Sequence, residues 1–307
     1  MTLYIFLCII LAVIFGGAYY AYRLAFYSPN KDREKIPEVN DPHYTPFKPV
    51  IRDLFHNLQN KPCEFVSIQS RDGLTLSGRY YHQKDSAPLA IGFHGYKSCW
   101  LTDFCGGADI AFQMGQNVLL IDERAHGKSQ GRTITFGIKE RLDLLCWIDY
   151  ALNRFGADTR ILLYGVSMGG ATVLMASGMD LPDNVKGIVA DCPYSAPLDV
   201  ILEVGRQTGY PVKLIKPFVI LGAKIYGGFD VRETSGAEAV KHTKVPVMII
   251  HGEDDTFVPP EMSQCIQEAN PEMVTRHTFP GAYHALSYMV DTPRYRVLVK
   301  EFMEKVL

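Results

Sequence analysis

The run Gly165-Val166-Ser167-Met168-Gly169 stands between an apolar stretch at 161–164 and a helical one at 171–177. A G-x-S-x-G in that setting demands a sharp strand-to-helix turn, in which the serine backbone is strained and flanking glycines relieve the crowding. The serine oxygen is then held up at the end of a sheet, and the N-terminus of the following helix offers backbone N–H groups and a positive dipole end to a developing oxyanion. The pattern therefore predicts a strand, a nucleophile and a helix in immediate succession.

The rest of the chain supplies a sheet for that strand. Residues 64–69 and 74–82 read as two strands joined by a turn at Arg71-Asp72-Gly73, an antiparallel start. Short apolar runs then recur at 89–93, 118–121, 161–164, 187–190, 245–250 and 273–279, separated by helical stretches. Strands alternating with crossover-length helices predict an α/β fold: a mostly parallel sheet with an antiparallel N-terminal meander and helices on both faces. One of these helices carries Ile138, Leu142, Leu145, Ile148 and Leu152 along one stripe. The last is expected to begin with Thr292 as N-cap and Pro293 at the first helical position.

A serine hydroxyl is a weak nucleophile near neutral pH, so a base must take its proton and an acid must orient that base. Downstream, the run at 245–250 ends in His251-Gly252-Glu253-Asp254-Asp255, and the run at 273–279 ends in Pro280-Gly281-Ala282-Tyr283-His284. Both place polar side chains on loops at the carboxyl edge of a parallel sheet, where sites in open α/β folds form. Asp191, at the end of another strand, is a rival for the acid. His94 and His251, each in a His-Gly pair, are expected to shape turns.

The order Ser, Asp, His, the His-Gly after the third strand, the loop Asp122-Glu123-Arg124-Ala125-His126-Gly127-Lys128-Ser129 and the run His251 to Pro259 together resemble the α/β-hydrolase superfamily. More narrowly, they resemble its serine-aminopeptidase-like (S33-type) esterase branch, whose members often carry an N-terminal hydrophobic anchor. The resemblance covers residues 64–307. It implies a triad of Ser167, Asp255 and His284, because the pattern H-G-x-x-D-x-x-V-P falls on His251, Gly252, Asp255, Val258 and Pro259. It also implies an oxyanion hole built from the backbone N–H groups of Tyr96 and Met168, and no metal or organic cofactor. Ala125 departs from the branch, which usually has Gly there.

Ahead of this region, residues 3–22 carry no charge, and about twenty helical residues at about 1.5 Å each cover a hydrocarbon layer of about 30 Å. The segment is expected to be a retained single-pass anchor, since no Lys or Arg precedes it and Ala18-Tyr19-Tyr20-Ala21 makes a poor cleavage site. Arg23, Lys31, Arg33 and Lys35 follow it, so positive-inside bias predicts a cytoplasmic catalytic domain. Seven scattered cysteines without a C-x-x-C pair agree with a reducing compartment and suggest no zinc site. A net charge of −2 lacks the basic excess that nucleic acid would attract.

The expected organisation is an anchor at 1–27, a Pro-rich tether and short amphipathic helix at 28–60 (Ile51, Leu54, Phe55 and Leu58 on one stripe), and a hydrolase domain at 61–307 with a small helical cap at about 192–244. Tyr96, Trp100 and the cap's apolar residues are expected to wall a site for small to medium acyl esters. Amide or thioester cleavage by the same triad, and a catalytically silent membrane-tethered binding module, are the alternatives. Nothing in the sequence fixes an oligomeric state.

Overall fold

The computed structural model describes residues 2–29 and 42–307; Lys31, Arg33, Lys35 and Pro37, on which part of the topology and tether readings rest, lie outside them. Eight strands form one sheet: β1 (Glu64–Gln69), β2 (Thr75–Tyr81), β3 (Leu89–Phe93), β4 (Asn117–Asp122), β5 (Ile161–Val166), β6 (Val185–Asp191), β7 (Val247–Gly252) and β8 (Val274–Phe279). Their spatial order is β1-β2-β4-β3-β5-β6-β7-β8. The pairs β1/β2 and β2/β4 are antiparallel and all later pairs parallel, which is the expected α/β-hydrolase sheet. Strands β3 and β4 are buried along their whole length, as continuous apolar runs covered on both faces must be.

Helices connect and cover the strands. They are α1 (Thr2–Ala25), α2 (Lys48–Gln59), α3 (Trp100–Gln113), α4 (Glu140–Phe155), α5 (Met168–Ser177), α6 (Pro197–Gln207), α7 (Val212–Gly222), α8 (Gly236–Ala239), α9 (Pro260–Ala269), α10 (Ser287–Val290) and α11 (Thr292–Val306). Three local expectations shift. Strand β7 begins at Val247 instead of residue 245, because Pro246 has no N–H to give an inner strand. Helix α11 is capped by Asp291, whose side chain accepts from the Arg294 N–H, and not by Thr292. The buried face of α4 is Leu144, Trp147, Ile148 and Ala151, rotated from the Leu142–Leu145–Leu152 stripe because Trp147 is drawn fully into the core.

Helix α1, the apolar segment expected to be an anchor, also packs on the body. Its first half is exposed, but Ala18, Ala21 and Tyr22 are buried, and Phe26 is fully enclosed between the rings of Phe136 and Phe229. Tyr27 bridges Thr133, and the Ser28 N–H bonds the Arg132 carbonyl. The end of the segment expected as an anchor at 1–27 is therefore docked on the body before the Pro-punctuated stretch begins. Helix α2 buries Ile51, Phe55 and Leu58 against α3.

Turns at the sheet are tied by an ion cluster that is buried at Arg124 and Asp143 and half-exposed at Asp72. Arg124, on the loop after β4, forks onto Asp143 of α4 through two 2.6 Å hydrogen bonds and reaches Asp72 of the β1–β2 turn at 2.9 Å. Removing one partner of such a pair leaves a buried charge uncompensated, at a cost of about 3–5 kcal/mol. Arg124→Ala is expected to lower unfolding stability by that order in a denaturant titration; a loss under about 1 kcal/mol would show that the cluster contributes little.

Candidate active site

The turn between β5 and α5 carries Ser167 at φ 54°, ψ −111°, a conformation that L-residues with side chains seldom adopt. Two close approaches make it possible. A Cβ on Gly165 would fall 2.1 Å from the Gly169 carbonyl oxygen, and one on Gly169 would fall 1.8 Å from that of Phe93 in β3. Any other residue at either position would push α5 off the sheet. The Ser167 N–H is held by the Asp191 carbonyl at 2.8 Å, and its side chain stands at the carboxyl edge.

His284, on the loop after β8, places Nε2 at 3.0 Å from Ser167 Oγ and Nδ1 at 2.7 Å from Asp255 Oδ2. Asp255, on the loop after β7, is fixed from both sides: Oδ1 accepts from the Phe257 and Val258 N–H groups at 3.0 and 2.8 Å. Burial opposes its ionisation, but the charge of His284 and hydrogen bonds from His251 and His284 outweigh burial and hold the carboxyl at about 2. An ionised carboxylate only accepts, so Nδ1 of His284 carries the proton and Nε2 is free to accept from the serine hydroxyl. The His-Gly pair predicts a turn-shaping role for His251. Its Nε2 lies 2.9 Å from the Val258 carbonyl and 3.2 Å from Asp255 Oδ2, so it donates to both and braces the acid loop.

On the other side of Ser167, the loop after β3 is tied to its neighbours. The Gly95 N–H donates to Asp103 at 2.6 Å. His94 Nε2 accepts from the Glu123 N–H and His126 Nε2 accepts from the Lys97 N–H, each at 3.0 Å. Both rings act as neutral turn braces. Ala125, at the position where the resembled branch has Gly, adopts φ 63°, so the loop keeps the left-handed turn with an alanine in it. Tyr96 borders the cavity, and its hydroxyl donates to the Ala25 carbonyl at the end of α1 at 2.8 Å. Met168 is the first residue of α5, where helix N–H groups have no intrahelical partner.

The cavity in front of Ser167 has a volume of about 470 Å³, within the range of small-molecule sites. Its walls differ from those expected. Trp100 is not among them: it is buried with Phe104 and Leu101, under the guanidinium of Arg79 at 4.3 Å. Nor do the apolar cap residues reach it, since Leu198, Ile201, Leu202 and Val204 pack onto the body beside Phe136 and Tyr194. The walls come instead from the segment before the domain, Tyr44, Ile51 and Phe55, and from Phe257, Tyr288 and Met289. Tyr44 also donates to the His284 carbonyl at 2.7 Å, and His43 stacks on Tyr283 at 3.8 Å. The stripe of α2 was legible in the sequence, but Tyr44 lies among prolines with no periodicity to betray it.

Two more groups lie close to Ser167 and His284. Cys192, at φ 44°, brings Sγ to 3.9 Å from His284 Nε2; burial raises its thiol far above the ordinary range, so it stays neutral. No hydrogen bond joins Asp191 to His284. Asp191 Oδ2 accepts from the Tyr295 hydroxyl at 2.9 Å, and burial pushes the carboxyl up to about 6 against that bond.

A family description of the alpha/beta hydrolase fold matches residues 91–215. The uncharacterized protein YqkD of Bacillus subtilis is 25% identical over 97% of this chain and 95% of its own. An uncharacterized membrane protein of Saccharomyces cerevisiae is 25% identical over 62% of each. Among solved structures, the Pyrococcus furiosus esterase Pf2001 superposes with a TM-score of 0.65 at 25% identity, covering 83% of this chain and 95% of that one. The sheet and these similarities give the chain the alpha/beta hydrolase fold. The chain has an esterase as a structural neighbour and distant homologues in bacteria and yeast.

Asp191 supplies a pH test. Its folded-state pKa lies above the unfolded value of 3.8, so its contribution to stability is full below about pH 4 and is lost as pH rises to about 6. Above that, the buried charge costs up to about 3 kcal/mol, two pKa units at about 1.4 kcal/mol each. Asp191→Asn removes the titration. Relative to wild type, it is expected to gain stability between pH 4 and pH 8 in thermal unfolding; a difference that does not change with pH would refute the buried ionisation.

Proposed function

We propose that this chain is a membrane-anchored serine esterase of the serine-aminopeptidase-like branch, cleaving carboxylic esters of small to medium acyl chains through an acyl-enzyme. The observation that carries the reading is the continuous hydrogen-bond chain Ser167–His284–Asp255 at the mouth of an apolar cavity. Ser167 Oγ attacks the ester carbonyl while His284 Nε2 takes its proton. The backbone N–H groups of Tyr96 and Met168 receive the oxyanion, and the imidazolium then returns the proton to the leaving alcohol. Water, deprotonated by the same histidine, releases the acid and restores the serine. Asp255 holds the tautomer throughout. The similarity to the Pyrococcus furiosus esterase supports ester chemistry. The 24-residue apolar α1 and the yeast membrane relative support the anchor, with the domain at 61–307 on the cytoplasmic side.

Ser167→Ala is expected to abolish both fluorophosphonate labelling and p-nitrophenyl ester turnover while leaving the fold intact. Asp255→Asn should cost about 10⁴-fold in kcat by favouring the wrong tautomer, whereas Asp191→Asn and Asp254→Asn should cost far less. Retention of more than a few per cent of turnover in Ser167→Ala, or a larger loss at Asp191 than at Asp255, would overturn the assignment.

The walls set the acyl preference, and Phe55 is the largest side chain that the pre-domain helix contributes to them. Phe55→Leu is expected to move the optimum of kcat/KM along a p-nitrophenyl ester series toward longer chains, while wild type peaks between acetyl and about octanoyl. Discrimination between substrates lives in that ratio. A wild-type optimum at palmitoyl, or preference for aminoacyl amides or thioesters over all esters, would refute the substrate class and leave the triad standing.

A further inference from the structure

The contact between α1 and α7 decides how deep the rest of the cap must sit. The two helices pack tightly: a Cβ on Gly222 of α7 would lie 2.5 Å from the Ala18 carbonyl oxygen, and one on Gly17 would lie 2.7 Å from the Phe218 ring. Past the end of α7, the Tyr226 hydroxyl bonds the Phe15 carbonyl at 3.2 Å, and its ring meets Tyr19 edge-on at 5.2 Å. Arg23 is the first charge after the apolar stretch. Gly17 precedes it by six residues and Phe15 by eight, which is about 9 and 12 Å along the helix axis. If α1 crosses a bilayer, its partners on α7 are carried below the headgroups with it.

The outward face of this region fits that position. Leu214 is 68% exposed and Ile225 is 46% exposed, and Pro217 and Leu221 lie between them at helical spacing. From Gln207 to Phe229 there is no Asp or Glu, while Lys213, Lys216 and Lys224 are all exposed. An apolar stripe flanked by lysines and free of acids is the composition of a helix lying in the headgroup–acyl boundary, where such helices bury their apolar face by about 5–10 Å.

We propose that α7 and the turn after it are a second membrane-contacting surface, immersed in the boundary of an anionic leaflet beside the anchor. The body is thereby fixed in one orientation with its cap against the lipid. This rests on the reading of α1 as a membrane span, and it adds that the domain does not hang on a leash.

The test uses the full chain in phosphatidylcholine–phosphatidylglycerol vesicles with and without brominated acyl chains, which quench tryptophan by contact. Trp100 and Trp147 are both buried and give a constant background. Leu214→Trp and Ile225→Trp are expected to lose at least half of the added emission in brominated vesicles. Val297→Trp, exposed on α11 away from the cap, should lose none. Leu7→Trp reports the anchor. Quenching at Leu7→Trp without quenching at Leu214→Trp and Ile225→Trp would overturn the cap surface while the anchor stands. No quenching at Leu7→Trp would overturn the anchor, and the cap surface with it.

Discussion

The close approach of Gly169 to the Phe93 carbonyl is the constraint on which the site depends. It forces α5 to start directly over the end of β3, and so brings the loop after β3 and the turn after β5 to the same point. The strained φ of Ser167 is then over-determined: Asp191 holds its N–H from one side, and the helix that begins at Met168 holds its carbonyl from the other. Such strain survives only where the surroundings leave no alternative.

Two carboxyls at the same sheet edge show how environment assigns roles. Asp255 is buried, yet it accepts from two backbone N–H groups and faces two histidines, and it remains ionised down to about 2. Asp191 is equally buried with a single tyrosine hydroxyl to help it, and it is pushed up to about 6. The first can stabilise an imidazolium. The second shapes the floor of the site.

How much of this was legible in the sequence follows from where the signals come from. Backbone requirements write themselves locally, so the G-x-S-x-G turn and the succession of strands along the chain could be read directly, and the starts of β7 and α11 moved only by a residue or two. Side-chain direction is decided by packing. Trp100 therefore turned inward onto Arg79, and the face of α4 rotated to seat Trp147. The cavity walls were the least legible part. The cap's apolar stripes look the same whether they face a ligand or the body, and Tyr44 and Phe55 reach the site from sequence positions far ahead of it.

The bond from the Tyr96 hydroxyl to the Ala25 carbonyl has a practical consequence for handling the protein. Ala25 ends α1, and its carbonyl is one of the last four that a helix cannot satisfy internally; Tyr96 caps it from the loop beside the serine. A version cut at residue 27 for the sake of solubility would strip that cap's partner, expose the seats of Ala18, Ala21, Tyr22 and Phe26, and leave the underside of α7 bare. The chain with α1 in place, and not a version trimmed at residue 27, is the form in which the loop facing the serine keeps its shape.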